Sequence, residues 1–391
     1  MNRIVEQISC NGCEACYAVC KKNAITMKQN FDGFYYPVID ENLCVKCGIC
    51  GKVCPQQLDT SFRKIDYNDT LAYGGYDLNP ETLKKSSSGG FFGVLANAIL
   101  AEEGVVYGVV FSQDYRNAYY ASSDDERIDR MRGSKYVTAR KEKIYCDVQE
   151  QLGTSRKVLF VGLPCEVAAL YAVLKKDFDN LLTCELICAG ASSYNLLNAQ
   201  LDWLENRYQS ETAEFSFRFK KYGWVPYSIF WKSKNRIKLS KMFDDTIFGI
   251  GMKYAKREAC FNCNFKGLNR TADFSIGDFW NIDKKAVYYN ESGTSVVFAR
   301  TKKAESYMNT LNTFSCVKVD SEMACGGNRQ QLQYASGVPE RREEYLRTLR
   351  ECGGEKAFIQ FRPHQSIKVQ VKNRLPVWVY KLLRRVEAKI H

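Results

Sequence analysis

Cys10-Asn-Gly-Cys13-Glu-Ala-Cys16-Tyr-Ala-Val-Cys20 begins a pattern that recurs once, as Cys44-Val-Lys-Cys47-Gly-Ile-Cys50-Gly-Lys-Val-Cys54-Pro55. Three thiolates at this spacing wrap a loop around a cubane, and the fourth cysteine points at the other cluster. Zinc usually takes its cysteines in two pairs, and disulfides at such short spacing would be strained. The pattern therefore predicts two 4Fe-4S clusters. The expected ligand sets are Cys10, Cys13, Cys16 and Cys54 for one cluster, and Cys44, Cys47, Cys50 and Cys20 for the other.

This first segment resembles a bacterial two-cluster ferredoxin, although Lys21 stands where the second copy has proline. The whole chain has 391 residues, of which 45% are hydrophobic and 26% are charged, a balance typical of a soluble protein with two or three domains. Seventeen cysteines without an export signal favour metal or redox chemistry over disulfides and predict a cytoplasmic protein. The two histidines, His364 and His391, leave little room for histidine-rich metal sites.

Beyond a polar linker at residues 56–70, apolar strand-like runs alternate with amphipathic helices. Strands are predicted at 104–111, 157–162 and 181–188, with a helix at 166–176 between the last two. Such alternation predicts an α/β architecture with some parallel pairing. Residues 215–219 and 227–231 alternate like antiparallel strands, and the chain becomes helical and charged past residue 300.

A third metal site is predicted where this fold brings distant cysteines together. Cys165 follows one predicted strand and Cys188 ends the next, so a right-handed parallel β-α-β unit puts both thiols at one sheet edge. Cys260 and Cys263 add a close pair. From spacing alone these four thiols fit a cluster, a structural zinc, or buried thiols beside an unrelated CxxC. Cys184 lies four residues before Cys188 on a strand, about 13 Å away, too far to bind the same ion easily. The other cysteines are predicted to be buried thiols, namely Cys146, Cys316, Cys325 and Cys352.

Three further motifs suit a bound flavin. Ser86-Ser-Ser-Gly-Gly-Phe precedes an apolar helix and can present backbone N–H groups to a phosphate, although an ordinary N-cap looks similar. Arg132-Gly-Ser-Lys-Tyr supplies cations and a ring, and Asp273-Phe-Ser-Ile-Gly-Asp-Phe-Trp supplies carboxylates and aromatics. Clusters move single electrons, so a two-electron carrier is needed for most organic reductions, and flavin is the usual one. No Gly-x-Gly-x-x-Gly pattern indicates a nicotinamide site.

Taken in order, these motifs resemble the family of the beta subunit of coenzyme F420 (deazaflavin) hydrogenases and dehydrogenases, which includes the plant reductase of hydroxymethyl chlorophyll. The resemblance covers residues 8–300 and also rests on Gly-Leu-Pro-Cys165-Glu, Cys188-Ala-Gly and Gly293-Thr-Ser. It implies an FAD-dependent reductase in which a third 4Fe-4S cluster is held by Cys165, Cys188, Cys260 and Cys263. By the same resemblance, the flavin contacts are Ser88, Gly89, Gly90, Ser134 and Lys135. Family members often have histidine where this chain has Ala189.

The expected fold class is α/β and α+β multidomain, with a small two-cluster ferredoxin domain followed by a mixed-sheet flavin-binding domain. Four segments are predicted. Residues 1–60 form the ferredoxin domain, 61–150 the first part of the flavoprotein region, and 151–300 the flavoprotein and third-cluster domain. Residues 301–391 form a helical, basic C-terminal segment.

The last residues combine an apolar stripe with basic positions at helical spacing, as Leu375, Trp378 and Leu382 alternate with Lys381 and Arg385. Such a helix can lie on the inner face of an anionic membrane or pack on its own domain. Similar bacterial proteins are associated with cell-surface polysaccharide synthesis, whose intermediates are lipid-linked. No groove-reading motif predicts nucleic-acid binding.

The sequence thus predicts an iron–sulfur flavoprotein oxidoreductase that takes electrons from a redox protein or a small donor and passes them through FAD to an organic substrate. Asp278 and Glu166 are the candidate proton-transferring acids. The alternatives are a deazaflavin-cofactor oxidoreductase, an electron-transfer subunit without its own substrate site, and a zinc-stabilised binding protein with a ferredoxin appendage.

Overall fold

The computed structural model describes residues 4–58, 63–363 and 379–380. The α-helices of this part of the chain are α1 (Ala15–Ala18), α2 (Ile49–Lys52), α3 (Pro80–Lys85), α4 (Phe91–Ala101), α5 (Ile144–Leu152), α6 (Pro164–Leu174), α7 (Tyr194–Tyr208), α8 (Ile247–Gly251), α9 (Lys302–Met308), α10 (Ser321–Gly326), α11 (Arg329–Gln333) and α12 (Arg342–Phe361). The strands are β1 (Ile25–Gln29), β2 (Tyr35–Ile39), β3 (Leu71–Asp77), β4 (Val105–Phe111), β5 (Ala118–Ser123), β6 (Val158–Gly162), β7 (Leu181–Leu186), β8 (Thr212–Phe219), β9 (Ser228–Ser233), β10 (Lys238–Met242), β11 (Phe274–Asp278), β12 (Ser295–Ala299) and β13 (Phe314–Val319).

The N-terminal part is a ferredoxin-like unit of two short helices and one antiparallel hairpin. β1 pairs with β2 from Ile25 opposite Ile39 to Gln29 opposite Tyr35. Each helix begins after a residue in the left-handed region, Glu14 before α1 and Gly48 before α2. This conformation turns each cysteine loop sharply into its helix, and glycine adopts it without the strain that a side chain brings.

The larger part is built on one mixed sheet of eight strands in the order β13-β3-β12-β11-β7-β6-β4-β5. Its centre is parallel, because β4 pairs with β6, β6 with β7, and β7 with β11 in the same direction. The strands at both sides pair antiparallel. The predicted fold class is confirmed, including the parallel β6-α6-β7 unit. β8, β9 and β10 form a separate antiparallel sheet, as the alternation at 215–219 and 227–231 predicts.

Both faces of the large sheet are covered, because successive residues of its central strands enter two different apolar clusters. On β6, Val158 and Phe160 pack into one cluster, while Leu159 and Val161 pack into the other. A parallel strand buried on both faces reads as a continuous apolar run, which is how Val-Leu-Phe-Val appears in the sequence.

Three of the four predicted segments contribute strands to this sheet. β3, β4 and β5 come from 61–150, β6, β7, β11 and β12 from 151–300, and β13 from 301–391. The segment past residue 300 is therefore not wholly helical, since β13 pairs with β3. β13 is a half-exposed edge strand, so its apolar signal is weak. The end of the predicted linker is also packed, because the guanidinium of Arg63 lies 2.8 Å from the Asp273 carboxylate.

The ferredoxin domain is held against the large domain by a buried carboxylate. Glu14 is 2% exposed, and its side chain accepts hydrogen bonds from Arg140 Nε at 2.7 Å and from the amides of Lys141 and Glu142 at 3.0 and 2.9 Å. The Tyr145 hydroxyl donates to the Cys13 carbonyl at 2.9 Å. Since α1 also packs in the same apolar cluster as β6, the two domains share one core.

No helix in the described ranges combines the length and the apolar composition that a membrane crossing requires. Most of the predicted C-terminal amphipathic helix, together with His364 and His391, lies outside the described residues. Of that region the structure describes Val379 and Tyr380, and the Tyr380 ring packs 5.0 Å from the ring of Tyr222.

We predict that Glu14→Ala lowers the free energy of unfolding by about 2–4 kcal/mol. The substitution removes the buried carboxylate that pairs with the partly exposed Arg140, and it leaves the amides of Lys141 and Glu142 without their acceptor. Urea unfolding of the anaerobic protein measures the change. The matched control is Glu6→Ala, whose side chain is exposed and caps no helix. Equal stabilities of the two variants would show that Glu14 does not hold the domains together.

Candidate iron–sulfur centres and cofactor cleft

The first predicted ligand set meets around one buried cavity, called the inner site here. Its lining includes all four cysteines of that set, Cys10, Cys13, Cys16 and Cys54. Burial, together with smaller contributions from the neighbouring thiols Cys10 and Cys54, raises the pKa of Cys13 to about 12. Thiols held this close and this dry do not ionise readily by themselves, so a bound cation is needed to stabilise the thiolates.

The second set, called the outer site, is closer to solvent. Burial raises the pKa of Cys50, and the nearby thiols Cys47 and Cys44 add to the shift, which shows that these three lie together. Cys47 is exposed, while Cys44 and Cys50 are half-buried. The fourth predicted ligand, Cys20, is half-buried just beyond the end of α1.

The third set meets around another cavity, the third site, whose lining includes Cys165, Cys188, Cys260 and Cys263. Cys165 lies in the first turn of α6, and Cys188 follows β7 by two residues. Cys260 ends the 3-10 turn Glu258–Cys260. Burial raises the pKa of Cys188 to about 11, with Cys260 adding to the shift. The parallel unit predicted from the sequence therefore delivers both of its thiols to one place.

Cations border the third site. The Lys266 ammonium donates to the Cys188 carbonyl at 2.6 Å, and the cavity wall includes Arg270. Burial lowers the pKa of Lys256 and of Lys266, whereas the nearby thiols raise both. Positive groups beside the thiols favour their ionised form, and they would offset the negative charge of a cluster bound by four thiolates.

Glu166, a predicted proton-transferring acid, is engaged on both oxygens. One oxygen lies 2.8 Å from the Lys141 ammonium, and the other accepts from the Tyr120 hydroxyl at 2.7 Å and from the Leu163 amide at 2.8 Å. The last contact closes the first turn of α6, because a carboxylate at this position caps a free backbone N–H. The contacts of Glu166 therefore orient the helix that carries Cys165.

The flavin motifs converge on Arg218, a residue that sequence reasoning missed. Arg218 donates to both oxygens of Asp278 at 2.9 and 3.0 Å, to the Ser87 carbonyl at 3.0 Å and to the Tyr136 hydroxyl at 3.3 Å. Ser87 Oγ lies 2.9 Å from Ser134 Oγ. The sequence signal for Arg218 was a charged residue within the largely apolar strand β8. In the structure, Arg218 lies at an irregularity in the pairing of β8 with β9, which changes the direction of side chains.

Four of the five predicted flavin contacts are bonded within the chain. Ser88 Oγ donates to the Thr294 carbonyl at 2.8 Å, and the Gly89 amide donates to Ser295 Oγ at 3.0 Å. The Lys135 ammonium donates to three carbonyls at 2.8 to 3.0 Å, which close the 3-10 helix Glu126–Met131 and the turn after it. Ser134 is bonded in the same way, because its amide donates to Ser87 Oγ at 2.9 Å, and Gly90 precedes α4 in the left-handed region. The region where these loops meet around Arg218 is called the cleft here.

A second missed residue, Arg132, lies at the N-terminus of α4. Its guanidinium occupies the space beside Gly93, in the first turn of the helix, where a Cβ atom would clash with it. Arg132 Nε pairs with Asp129 at 2.7 Å, but buried Nη1 has no hydrogen-bond partner among the described residues. α4 begins after Gly90 in the left-handed region and has no side-chain cap. Free helix amides and an unpaired guanidinium suit an anion.

One short segment joins the cleft to the third site. Ser134 and Tyr136 face the cleft, and Thr138 lines the third-site cavity. The Ser192 amide donates to the Tyr136 carbonyl at 2.9 Å, which ties this segment to the loop after Cys188. Cleft and cavity are therefore adjacent regions of one domain.

The five other cysteines do not belong to these sets. Cys325 is buried as predicted and Cys184 is buried as well, whereas Cys146 and Cys316 are half-buried and Cys352 is exposed. The prediction of a buried thiol is wrong for Cys352, which lies next to the break in α12 at Gly353.

The fold and the crossed cysteine pattern define an iron–sulfur protein in which a ferredoxin domain is fused to a mixed α/β domain. Residues 9–58 match the 4Fe-4S dicluster domain, and residues 155–323 match the family described as the C terminus of the coenzyme F420 hydrogenase/dehydrogenase beta subunit. This match over residues 155–323 confirms the resemblance to the beta-subunit family of F420 hydrogenases and dehydrogenases that the motifs predict.

Similar proteins include an uncharacterized protein of Methanocaldococcus jannaschii, 25% identical over 339 residues, which are 76% of this chain and 85% of that protein. The F420H2 dehydrogenase of Methanosarcina mazei has a subunit that is 22% identical over 204 residues, 50% of this chain and 57% of that protein. Among solved structures, a chain of the F420-reducing NiFe hydrogenase complex from Methanosarcina barkeri is 17% identical with a TM-score of 0.47, over 68% of this chain and 90% of that one. The family match and the dicluster match thus relate this chain to iron–sulfur subunits of F420 hydrogenases and dehydrogenases.

We predict that Cys165→Ala lowers the iron content by about four atoms per chain and leaves the ferredoxin pair intact, because one cubane holds four irons. Iron and sulfide analysis with EPR spectroscopy measures the change. Cys184→Ala is the control, since Cys184 is fully buried on neighbouring β7 and lies outside the cavity lining. Equal iron losses in the two variants, or loss of all clusters together, would contradict an independent third site.

Proposed function

We propose that this protein is an iron–sulfur oxidoreductase in which three 4Fe-4S clusters exchange electrons with FAD bound in the cleft, and through it with an organic substrate. The observation that carries the proposal is the third site, where four cysteines from three separate stretches line one cavity between the ferredoxin domain and the cleft. Thiolate sets of this kind hold clusters, and such clusters transfer single electrons.

A cluster fits the third site better than zinc does. Among the residues that the structure describes, no group of three or more His, Cys, Asp or Glu side chains forms a site for a single metal ion. Zinc requires its sulfur ligands at about 2.3 Å from one point. A cubane distributes its four ligands over four separate irons, so it accepts cysteines spaced around a cavity. The arrangement of these four cysteines around the cavity therefore supports a 4Fe-4S cluster over the zinc-stabilised alternative.

The residues of the cleft fit the anionic part of a dinucleotide. Arg132 and the first amides of α4 offer unpaired donors to a phosphate, and the hydrogen-bonded Ser87 and Ser134 are close to them in sequence. Arg218, held by Asp278, carries its guanidinium 3.9 Å from the Tyr227 ring centre and presents a flat surface. A flavin bound here supplies the pairing of single electrons that an organic two-electron reaction requires. Asp278 serves in this proposal by orienting Arg218, and electrons can pass in either direction.

The family match and the likeness to an F420H2 dehydrogenase subunit support a deazaflavin as an alternative two-electron partner at the same cleft. The link with cell-surface polysaccharide synthesis and the contact of the C-terminal helix with a membrane stay predictions.

A second candidate function is an electron-transfer subunit that hands electrons to a partner enzyme and has no substrate site. One observation favours it: Ser88, Gly89 and Lys135, predicted to hold the flavin, are hydrogen-bonded within the chain. In that case the cleft remains closed around its own side chains and Arg218 is purely structural.

Flavin analysis of the anaerobically purified protein, followed by reoxidation with candidate acceptors, separates the two functions. We expect one FAD per chain and reoxidation by a small organic acceptor without any added protein. Protein that contains three clusters but no flavin, and that is reoxidised only when a partner enzyme is present, would support the electron-transfer subunit instead.

We predict that Arg132→Gln weakens flavin binding about 10- to 100-fold, because a charge-assisted hydrogen bond to phosphate contributes about 1.5–3 kcal/mol. Fluorescence titration of the deflavinated protein with FAD measures the affinity, with iron content expected to stay constant. Lys85→Gln is the matched control, because Lys85 pairs with the same Asp129 but is exposed. Unchanged affinity in Arg132→Gln would remove this helix terminus from the proposed flavin site.

A further inference from the structure

We infer that Asn11, held in place by Gln56, is the contact through which electrons pass between the inner site and the third site, so that the outer site is the entry point when an external donor reduces the protein. This inference rests on the proposed function, because it requires a cluster at the third site. It assigns an order to the three sites and names two positioning residues between them.

Asn11 is the one residue, among those described, that lines both cavities. It follows Cys10 directly in the chain and is 7% exposed. The inner and third sites are therefore separated at this point by a single side chain. Short separations of this kind are what allow an electron to move between two buried redox groups without solvent between them.

Gln56 fixes the position of Asn11. Its side-chain amide donates to the Asn11 side-chain oxygen and, at 2.8 Å, to the Ser9 carbonyl. The Gln56 oxygen accepts from the side-chain amide of Asn264 at 2.8 Å. Gln56 lies two residues after the inner ligand Cys54, and Asn264 directly follows the third-site ligand Cys263. A continuous row of amide side chains therefore ties a loop of the inner site to a loop of the third site.

A second polar bridge spans the same interface. The Lys141 ammonium donates to the Gly12 carbonyl in the inner loop at 3.1 Å and pairs with Glu166, the neighbour of Cys165. Both Lys141 and Glu166 are almost completely buried. Two fixed bridges hold the inner and third sites in one geometry, which a route for electrons requires.

The outer site differs from the inner site in its surroundings. Cys47 is exposed, and so are Val45 and Lys46 beside it, whereas the inner ligands Cys10, Cys16 and Cys54 are buried. None of the outer cysteines contributes to the third-site cavity. An external one-electron donor therefore reaches the outer site first, and the inner site receives the electron next. Each step moves one electron: the cluster that gives it is oxidised, the next one is reduced, and no bond or proton changes place.

The order of sites is tested by removing one cluster at a time in the full chain. Cys13→Ala removes the inner cluster and Cys47→Ala removes the outer one, as iron analysis verifies for each. In the reduced protein, magnetic coupling broadens the EPR signal of a cluster that has a reduced neighbour. We expect the third-site signal to lose this broadening in Cys13→Ala and to keep it in Cys47→Ala. The opposite result would overturn the order.

The role of the two amides is tested by kinetics. Gln56→Leu and Asn11→Ala are mixed with a small one-electron reductant, and rapid-freeze EPR follows the appearance of reduced third cluster. We expect slower arrival at the third cluster with unchanged reduction of the outer cluster, and unchanged iron content in both variants. Asn42→Ala is the control, since Asn42 is exposed beside the outer cassette.

The outcomes separate this inference from the proposed function. About twelve irons per chain with unchanged transfer rates in both amide variants would overturn the Asn11 route alone. About eight irons in the unmodified protein would overturn the third cluster and the route together. Slower transfer in Asn42→Ala of the same size would show that the effect is not specific to Asn11 and Gln56, and would overturn their assignment.

Discussion

The gathering of eight cysteine thiols around two buried cavities is the constraint on which the rest of this structure depends. Four thiols line the inner cavity and four line the third, and burial disfavours ionisation of every one whose pKa shifts. Metal binding reverses this preference, since thiolates bind iron only after losing their protons. Binding of the clusters and stability of the surrounding fold are therefore coupled.

Positively charged side chains lie beside the thiols of the inner and third sites. Lys141 lies between the inner and third sites, and Arg257 donates to the Cys10 and Tyr35 carbonyls from the opposite side. Lys256 and Lys266 border the third site. Lys141 and Arg257 also bond the ferredoxin domain to the large domain, so these two cations compensate charge and hold the domains together.

Some of this arrangement was readable from the sequence because it depends on local spacing. The two cassettes predict the crossed inner and outer sets, and Val-Leu-Phe-Val followed by Leu-Pro-Cys165 predicts the parallel unit. Cys260 and Cys263 could be added because a close pair is a recognisable ligand pattern. The other site residues could not be predicted, because their partners are far away in the sequence. Arg218 and Arg132 act through partners on other strands and loops, and a single charged residue in a strand or turn gives no pattern by which to choose it.

The polar residues between the sites were hidden for the same reason. Asn11 and Gln56 meet across 45 residues, and Lys141 reaches Gly12 across 129. The predicted flavin residues show that a local motif can also predict a site where the residues serve packing instead. Serines and glycines before a helix predict a phosphate site, but Ser88 and Gly89 are used to pack the loop against β12. Their partners become visible only once the sheet order is known.

Native mass spectrometry of the anaerobically isolated chain tests the central claim most directly, because it counts intact inorganic clusters on one polypeptide. The account predicts a dominant species that carries three 4Fe-4S units. A dominant species with two such units, or with two units and one zinc ion, would contradict it.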